Sequence, residues 1–295
     1  MFHRISLIFL CLCLLFAVGC GAQQPDPLPA AQTPQRVAAL SRSLAELWLL
    51  AGGDLAGVTE DALDLDGLGA EAVSVGTISR PNLEAILALA PQLVLMSGEL
   101  SFHTNLIPQL EQAGVECLPI TVASFADYRE IMSFLCARTG RADLYQSNVI
   151  DVEAAMRAVL EEAAGSIEAN RQAERSYLAL QISATKNKAL KDNFACEILS
   201  DFGLRNVADG NTALDELSLE AIVAADPDYI FLIPKGEEDE AERSFREAFA
   251  DRPVWRELSA IREGRLYRLP KDLFDYKPNA RWGEAYAYVE TLLWP

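Results

Sequence analysis

Two segments of the chain carry nearly the same pattern, and this repeat constrains the fold more than any other feature. "LEAILALAPQLVLM" occupies residues 83–96, and "LEAIVAADPDYIFL" occupies residues 219–232. Each segment opens with a short helical pattern, reaches a proline that cannot continue a helix, and ends in an apolar run typical of a buried strand. The repeat therefore predicts two similar halves that mix helices with strands.

The rest of the chain follows the same alternation. Apolar runs such as "RVAALS" and "SYLALQI" alternate with segments whose apolar residues have helical spacing. This alternation predicts a parallel or mixed sheet covered by helices on both faces. Residues 141–172 have helical spacing almost throughout and predict a connector. With 295 residues, the chain is long enough for an N-terminal α/β lobe at 36–140, a linking helix at 141–172 and a C-terminal α/β lobe at 173–295. We predict an α/β fold of two Rossmann-like lobes joined by one long helix.

The first 35 residues have a different composition from the rest. Residues 1–19 combine a basic start with an apolar run too short for the roughly 20 residues of a membrane span, which is typical of a secretory signal peptide. The small residues before Cys20 resemble a bacterial lipobox, although Ala17 stands where leucine is usual, and a plain signal peptide remains the alternative. Residues 20–35, rich in Pro, Ala and Gln, predict a lipidated tether. We expect an extracytoplasmic protein, lipid-anchored to the cell membrane on its periplasmic or cell-surface side.

Charge and cysteine content exclude some classes of protein. The formal net charge of −18 would repel nucleic acid and bare anionic membrane, so no nucleic-acid partner is expected. Beyond Cys20 the chain has Cys117, Cys136 and Cys196, an odd number without a CxxC spacing. We interpret them as small core residues, with a disulfide between Cys117 and Cys136 as the alternative.

The repeat, the long helical connector and the lipobox together resemble a bacterial family. It comprises the helical-backbone periplasmic binding proteins, which are substrate-binding lipoproteins of ABC importers for iron complexes (siderophore or haem) and vitamin B12. The resemblance covers roughly residues 36–293. It implies an interlobe ligand cleft, a transported iron complex, haem or corrinoid, no cofactor of the protein's own, and no enzyme activity. It also implies a monomer that delivers its ligand to a permease dimer with its ATPase. A surface-tethered sensor or enzyme that reuses the fold is the alternative.

The same resemblance gives a role to the glutamate in each repeat. In the family this residue docks onto the two-fold symmetric permease, and the matching residues here are Glu84 and Glu220. Two similar lobes would present two carboxylates to two copies of one surface. Alternatively, each glutamate only interacts with the helix dipole, which favours an acid in a first turn by about 0.3–1 kcal/mol.

Ligands of α/β lobes collect at loops beyond the carboxyl ends of strands, and these loops are unusually basic here. They contain nine of the chain's 25 lysines and arginines, which would attract an anionic ligand, although solvated loop lysines are the alternative. The segment 274–277 matches a region where the family's B12 binders place ligand contacts, whereas Ile78 and Ser97 stand where they carry tryptophans, which makes a corrinoid a weaker match. Trp282 is expected in the core. The candidate ligand-binding residues are Arg42, Ser79, Arg80, Ser97, Lys186, Lys235, Asp275, Tyr276, Lys277 and Arg281.

Bare-metal binding and catalysis find little support in the sequence. Binding proteins for free zinc or manganese need several histidines, and beyond the leader the chain has only His103. His103, Met96 or Tyr276 could still serve as an axial haem ligand, and Tyr276 could also stack on a macrocycle or bind ferric iron as phenolate. No GxSxG, HExxH, P-loop or GxGxxG sequence is present, which argues against an enzyme.

Overall fold

A computed structural model describes residues 34–295, so the predictions for the signal peptide, for Cys20 and for the tether up to residue 33 lie outside the described residues. The strands are β1 (Val37–Ala39), β2 (Gly57–Val58), β3 (Val73–Ser74), β4 (Gly76–Thr77), β5 (Arg80–Pro81), β6 (Leu93–Ser97), β7 (Glu116–Ile120), β8 (Ser176–Ile182), β9 (Lys188–Ala189), β10 (Arg205–Asn206), β11 (Tyr229–Pro234) and β12 (Leu266–Arg268).

The helices cover both faces of the sheets that these strands form. They are α1 (Arg42–Leu50), α2 (Leu83–Ala88), α3 (Ser101–Thr104), α4 (Ile107–Gln112), α5 (Phe125–Thr139), α6 (Ala142–Tyr145), α7 (Asp151–Glu162), α8 (Ala164–Gln172), α9 (Phe194–Asp201), α10 (Leu219–Ala225), α11 (Glu238–Phe245), α12 (Ser259–Arg262), α13 (Lys271–Phe274) and α14 (Trp282–Leu293). Within residues 34–295, none of them combines the length and the apolar character needed to cross a bilayer.

Two parallel sheets form the framework, one in each half of the chain. The first has the strand order β3–β2–β1–β6–β7, and the second has the order β10–β8–β11–β12, with β9 antiparallel to β8. A two-stranded hairpin, β4–β5, stands apart from both. In each sheet the repeat supplies the strand next to the first one of its half, β6 beside β1 and β11 beside β8. The structure confirms the α/β fold.

The repeat folds in the same way in both halves. Asn82 and Ser218 cap the helices α2 and α10, each side chain accepting a hydrogen bond from a backbone N–H of the first turn. Just after these helices, Ala90 and Asp226 adopt a positive φ of 45° and 35°. A proline follows each of them and disfavours further helix, so the chain turns directly into β6 or β11. Helix, turn and strand are therefore fixed locally.

The connection between the halves is helical over nearly its whole length. It begins after Gly140, which ends α5 with a φ of 73°, and runs through α6, a π turn at Gln146–Ile150, α7 and α8. The break between α7 and α8 falls at Ala163. The sequence pattern predicts an interruption at Gly165, but this residue lies inside α8. Helix α14 packs closely along α7, since a Cβ on Gly283 would lie 3.0 Å from the Cβ of Ala155. The lobe boundaries at 140 and 172 stay a prediction.

Trp282 lies in the main core, as expected for an aromatic residue on a helix face. It is fully buried, and its ring packs edge-on against Phe125 and Phe194 at centroid distances of 5.5 and 5.8 Å. Since Phe125 belongs to the first half and Phe194 to the second, α14 joins the cores of the two halves.

All three described cysteines are free thiols, so the alternative disulfide between Cys117 and Cys136 is wrong. Cys136 and Cys196 are buried, and Cys117 is half-buried. Burial raises the pKa of the Cys117 thiol to about 11 and that of Cys196 to about 12, so both remain protonated at neutral pH.

Asp228 joins the starts of two adjacent strands of the second sheet. Its carboxylate accepts hydrogen bonds from the backbone N–H and the hydroxyl of Ser176, both at 2.9 Å, and from Arg175 at 2.7 Å. Burial raises the pKa of Asp228, but these bonds outweigh burial and hold the pKa below its usual value. The carboxylate therefore stabilises the fold only while it is ionised.

Replacing Asp228 with Asn is expected to lower the free energy of unfolding by about 1–3 kcal/mol at neutral pH. Because the pKa of Asp228 is lowered in the folded state, wild type should have its full stability advantage over the variant above about pH 3.9, the usual aspartate pKa. This advantage disappears as the pH falls through the folded-state pKa. Urea unfolding at about pH 7 and about pH 2.5 measures the difference. Asp239→Asn, an exposed control, should change stability by about 0.5 kcal/mol or less. A loss for Asp228→Asn that is equal at both pH values would contradict the ionic role.

Candidate functional site

A cleft lies at the carboxyl ends of strands from both sheets. Its volume is about 430 Å³, within the range usual for small-molecule sites. Ser97 at the end of β6 and Ile120 at the end of β7 line it from the first half, and Gln181 of β8 and Lys235 just after β11 line it from the second. The cleft thus occupies the position at which ligands of parallel α/β sheets collect.

The structure brings together six of the ten candidate ligand-binding residues. The cleft is lined by Arg42, Ser97, Lys235, Asp275, Tyr276 and Lys277. The other four, Ser79, Arg80, Lys186 and Arg281, do not line it. Ser79 and Arg80 are exposed on the hairpin, and Arg281 donates to Asp272 and Glu284 at 2.9 Å. A binding role for any of the ten stays a prediction.

Arg42, the first residue of α1, is held by two acids at the rim. Its backbone N–H donates to the carboxylate of Asp61 at 3.0 Å, and its guanidinium donates to the backbone carbonyl of Asp61 at 2.8 Å. The guanidinium also forms an ion pair with Asp64, and this contact lowers the pKa of the Asp64 carboxyl. Arg42 is therefore positioned firmly, and much of its charge is already compensated.

Lys277 links the two halves across the cleft. Its ammonium group donates to the carbonyl of Val122 at 2.6 Å, lies 4.0 Å from Glu99 and stands 5.2 Å from the centre of the Phe194 ring. Its backbone N–H donates to the hydroxyl of Ser43. Burial lowers the pKa of Lys277, with the nearby acids opposing this effect. Lys277 therefore forms a contact between the two halves and also lines the cleft.

Three lysines of the second half lie in the cleft or close to it, and none of them forms an ion pair within residues 34–295. They are Lys186, Lys188 and Lys235; in the described chain, the lysines that form ion pairs are Lys191 and Lys277. Burial lowers the pKa of Lys188, and the charges of Lys235 and Lys186 lower it further. The charges of Glu99 and Asp275 act on Lys188 in the opposite direction. We call the three lysines the lysine cluster.

Several residues that line the cleft are not among the ten candidates from the sequence. Lys188 counted among the loop cations but not among the site residues, because "KNKALK" resembles a flexible loop, whereas β9 holds Lys188 opposite Gln181. The acids Asp61, Glu99 and Asp192 also line the cleft and carried no signal in the sequence. Asp61 contacts Arg42, and Glu99 lies near Lys277. The charge of Glu99 also raises the pKa of Lys188, so the lysine cluster is partly compensated although it forms no ion pair within the described residues.

Asp275 lines the cleft, and Lys235 of the lysine cluster is one of its charged neighbours. Gln181 donates to its carboxylate at 3.3 Å. Burial raises the pKa of Asp275, while the charges of Lys235 and Lys271 oppose this rise. The carboxyl group is therefore a polar contact whose negative charge is disfavoured by its surroundings.

The three residues considered as haem ligands differ in their access to the cleft. Tyr276 lines it, with the ammonium of Lys271 5.4 Å from its ring centre. Met96 and His103 are fully buried, and both ring nitrogens of His103 are hydrogen-bonded, so neither residue is open to an iron centre. Within residues 34–295, no group of three or more histidines, cysteines and acids is arranged to hold a metal ion.

Glu84 and Glu220 occupy equivalent places on the surface. Each lies in the first turn of its helix, α2 or α10, and each side chain is exposed. In the part of the chain that the structure describes, neither glutamate forms an ion pair with a lysine or arginine. Both carboxylates are therefore available to a partner, and docking through them stays a prediction.

Comparison with known proteins places the chain in a family. The model of the family described as "Periplasmic binding protein" matches residues 37–273. The chain is 23% identical over 248 residues to the Fe(3+)-citrate-binding protein YfmC of Bacillus subtilis (strain 168), which covers 81% of this chain and 74% of that protein. Among solved structures, an ABC transporter substrate-binding protein from Listeria monocytogenes EGD-e has a TM-score of 0.74 at 21% identity, covering 88% of this chain and 98% of that chain. S. aureus IsdE complexed with heme has a TM-score of 0.76 at 16% identity, covering 88% of this chain and 99% of that chain. The chain belongs to the periplasmic binding protein family.

Proposed function

We propose that the protein is an extracytoplasmic solute-binding protein that captures an anionic iron complex and delivers it to an ABC import permease. Family membership supports the general role, and the B. subtilis relative, named for ferric citrate, supports the class of cargo. Structural relatives include proteins solved with heme and with a ferric siderophore. A ferric carboxylate complex and haem share the same recognisable chemistry, because both present carboxylates around an iron centre.

The lysine cluster is the observation that carries this proposal. The charges of Lys235 and Lys186 lower the pKa of Lys188 and those of Glu99 and Asp275 raise it. An anionic ligand would relieve the remaining repulsion among the lysines and form charge-assisted hydrogen bonds with them. The whole chain has a net charge of −18, whereas four cations and four acids line the cleft, so the cleft is much less acidic than the protein as a whole. Phe194, Phe274 and Tyr276 add aromatic surface to the same cleft. This combination suits a compact anion with an apolar or chelated body.

The cleft supports binding without catalysis. His103 is the histidine of the described chain, and it is buried and fully hydrogen-bonded, so it cannot act as a general base toward the cleft. His103 does not line the cleft, and the charged side chains that do are one arginine, three lysines and four acids. We infer that the bound complex passes on unchanged.

Membrane attachment and partners complete the proposal. Lipidation of Cys20 would tether the monomer at the outer face of the cell membrane, and two relatives from B. subtilis are named as substrate-binding lipoproteins. A permease dimer with its ATPase would receive the ligand, with no nucleic acid involved.

Ligand titration tests the proposal. Ferric citrate or haemin is expected to bind about 100-fold more tightly than cobalamin, the difference expected from roughly two charge-assisted hydrogen bonds. Tryptophan fluorescence and the visible spectrum report binding, with iron-free citrate as the control for ferric citrate. Equal binding of cobalamin would overturn the anionic preference, and failure of all three probes to bind would overturn the proposed cargo.

A further inference from the structure

His103 is a fully buried imidazole between two segments that line the cleft. It lies in α3, and its Nδ1 accepts a hydrogen bond from the backbone N–H of Ser97 at 3.1 Å. Its Nε2 donates to the carbonyl of Ile78 at 2.8 Å. Only the neutral tautomer with the proton on Nε2 makes both bonds. His103 therefore joins the end of β6 to the β4–β5 hairpin.

Backbone hydrogen bonds from Val75 to Val58 and from Asn82 to Val75 hold the base of the hairpin, so the contribution of His103 concerns its tip. Each of its strands has two residues, and its tip, with Ile78 and Ser79, is exposed. Inside the hairpin, the N–H of Arg80 donates to the hydroxyl of Thr77. A two-stranded hairpin of this size has little stability of its own. The bond from His103 to the Ile78 carbonyl thus ties the tip to the body of the first half.

We infer that His103 is a positioning residue, which holds the β4–β5 hairpin against the end of β6 and so fixes the cleft wall formed by Ile78 and Ser97. Both of these residues line the cleft. The inference rests on the proposed function, since it matters for ligand affinity only if this cleft binds the ligand. It makes the affinity depend on the protonation state of His103.

Protonation would break one of the two bonds. An imidazolium has a proton on both nitrogens, so Nδ1 would present N–H to the N–H of Ser97. Burial lowers the pKa of His103, while the bond to Ile78 and the charge of Asp61 oppose this effect. The bond to Ser97 is therefore intact at neutral pH and is lost as the pH falls below the usual value of about 6.5. Charged side chains on the elements around the ring are Glu60 and Asp61 on the 3-10 turn, Arg80 on the hairpin and Glu99 after β6.

The first test needs no ligand. In the full-length chain carrying His3→Gln, His103 is the sole histidine, so its ring signals can be assigned without ambiguity by NMR. We expect the imidazole to titrate below about pH 6.5, and the amide signals of Ser97 and of the hairpin to shift with the same midpoint. Titration of the ring without a coupled change of these amides would overturn the inference. So would a midpoint at or above the usual value.

The second test measures ferric citrate affinity between about pH 7.5 and about pH 4.5, spanning the usual histidine pKa. His103→Gln can still donate toward Ile78, and His103→Asn can still accept from Ser97, but neither side chain titrates. At the upper pH each variant should bind about two- to tenfold more weakly than wild type, the range for one net hydrogen bond. The ratio of wild-type affinity to variant affinity should shrink toward one at the lower pH, because protonated His103 of wild type then loses its own hydrogen bond with Ser97. Comparison at equal pH cancels changes in the probe itself.

Thr104→Ala, in the same helical turn, is the matched control and should follow wild type at every pH. A ratio for the His103 variants that stays constant with pH would mean that the residue only fills space, which overturns the inference. If no protein binds ferric citrate, that result counts against the proposed function, and the NMR titration still decides the role of His103.

Discussion

Replacement of Lys186, Lys188 and Lys235 by glutamine is expected to weaken ferric citrate binding by at least about 100-fold, because each charge-assisted hydrogen bond contributes about 1.5–3 kcal/mol. Lys188 and Lys235 line the cleft, and Lys186 lies close enough for its charge to lower the pKa of Lys188. Wild-type affinity should fall with rising salt, and the salt dependence of the variant should be much smaller. Isothermal titration calorimetry at several salt concentrations measures both effects.

The same variant should not be destabilised. These lysines form no ion pair in the described chain. Their mutual repulsion opposes folding at neutral pH, although Glu99 and Asp275 partly offset it at Lys188 and solvent screens it. We therefore expect a free energy of unfolding within about 0.5 kcal/mol of wild type, or slightly above it. A large loss of stability would show that the cluster supports the fold, and the binding result would then not isolate the ligand.

A matched control separates local from overall charge. Arg171→Gln, Arg205→Gln and Arg262→Gln together remove the same three charges from exposed positions that do not line the cleft. This triple variant should bind ferric citrate within about threefold of wild type, since screening limits charge effects beyond about 10 Å. An equal loss in both triple variants would assign the effect to net charge and contradict a specific anion site.

The repeat could be predicted from the sequence because its structure is determined locally. The helix caps Asn82 and Ser218, the turns at Ala90 and Asp226, and the prolines that follow them are all neighbours in the chain. Helical and strand periodicity then identify the elements on either side. For the same reason Arg42, Ser97 and Lys235, which end or follow predicted strands, lie at the carboxyl ends of the strands as expected.

Contacts between distant residues could not be predicted in this way. Lys188 lines the cleft because β9 pairs with β8, whereas Arg80 lies exposed on the separate β4–β5 hairpin and does not line the cleft. Arg281 seemed equivalent to the other loop cations, but Asp272 and Glu284 hold it at the surface. His103 contacts a carbonyl 25 residues earlier in the chain. Register and tertiary pairing decide such cases, and neither follows from local spacing.

The paired glutamates give the other large expected effect. Glu84→Ala combined with Glu220→Ala is expected to reduce import of the ligand by roughly tenfold or more, because loss of a charged interface contact costs about 2–5 kcal/mol when the contact is buried. Neither residue lines the cleft, so ligand affinity should stay within about twofold of wild type. Each single variant should retain intermediate import, since the other half can still engage one copy of the permease.

The alternative role of these glutamates, favourable interaction with the helix dipole, makes the opposite prediction. It implies a stability loss of about 0.3–1 kcal/mol per site and no change in import.

Import into cells lacking the native gene, urea unfolding and ligand titration, all measured on the same variants, separate the two roles. Glu111→Ala with Glu240→Ala removes two exposed glutamates, one from each half, and should import normally. If the variant with Glu84→Ala and Glu220→Ala also supports normal import while remaining folded, these two glutamates do not dock the protein on its permease. Reduced import with intact binding and no comparable loss in the control would assign docking to these two exposed first-turn carboxylates.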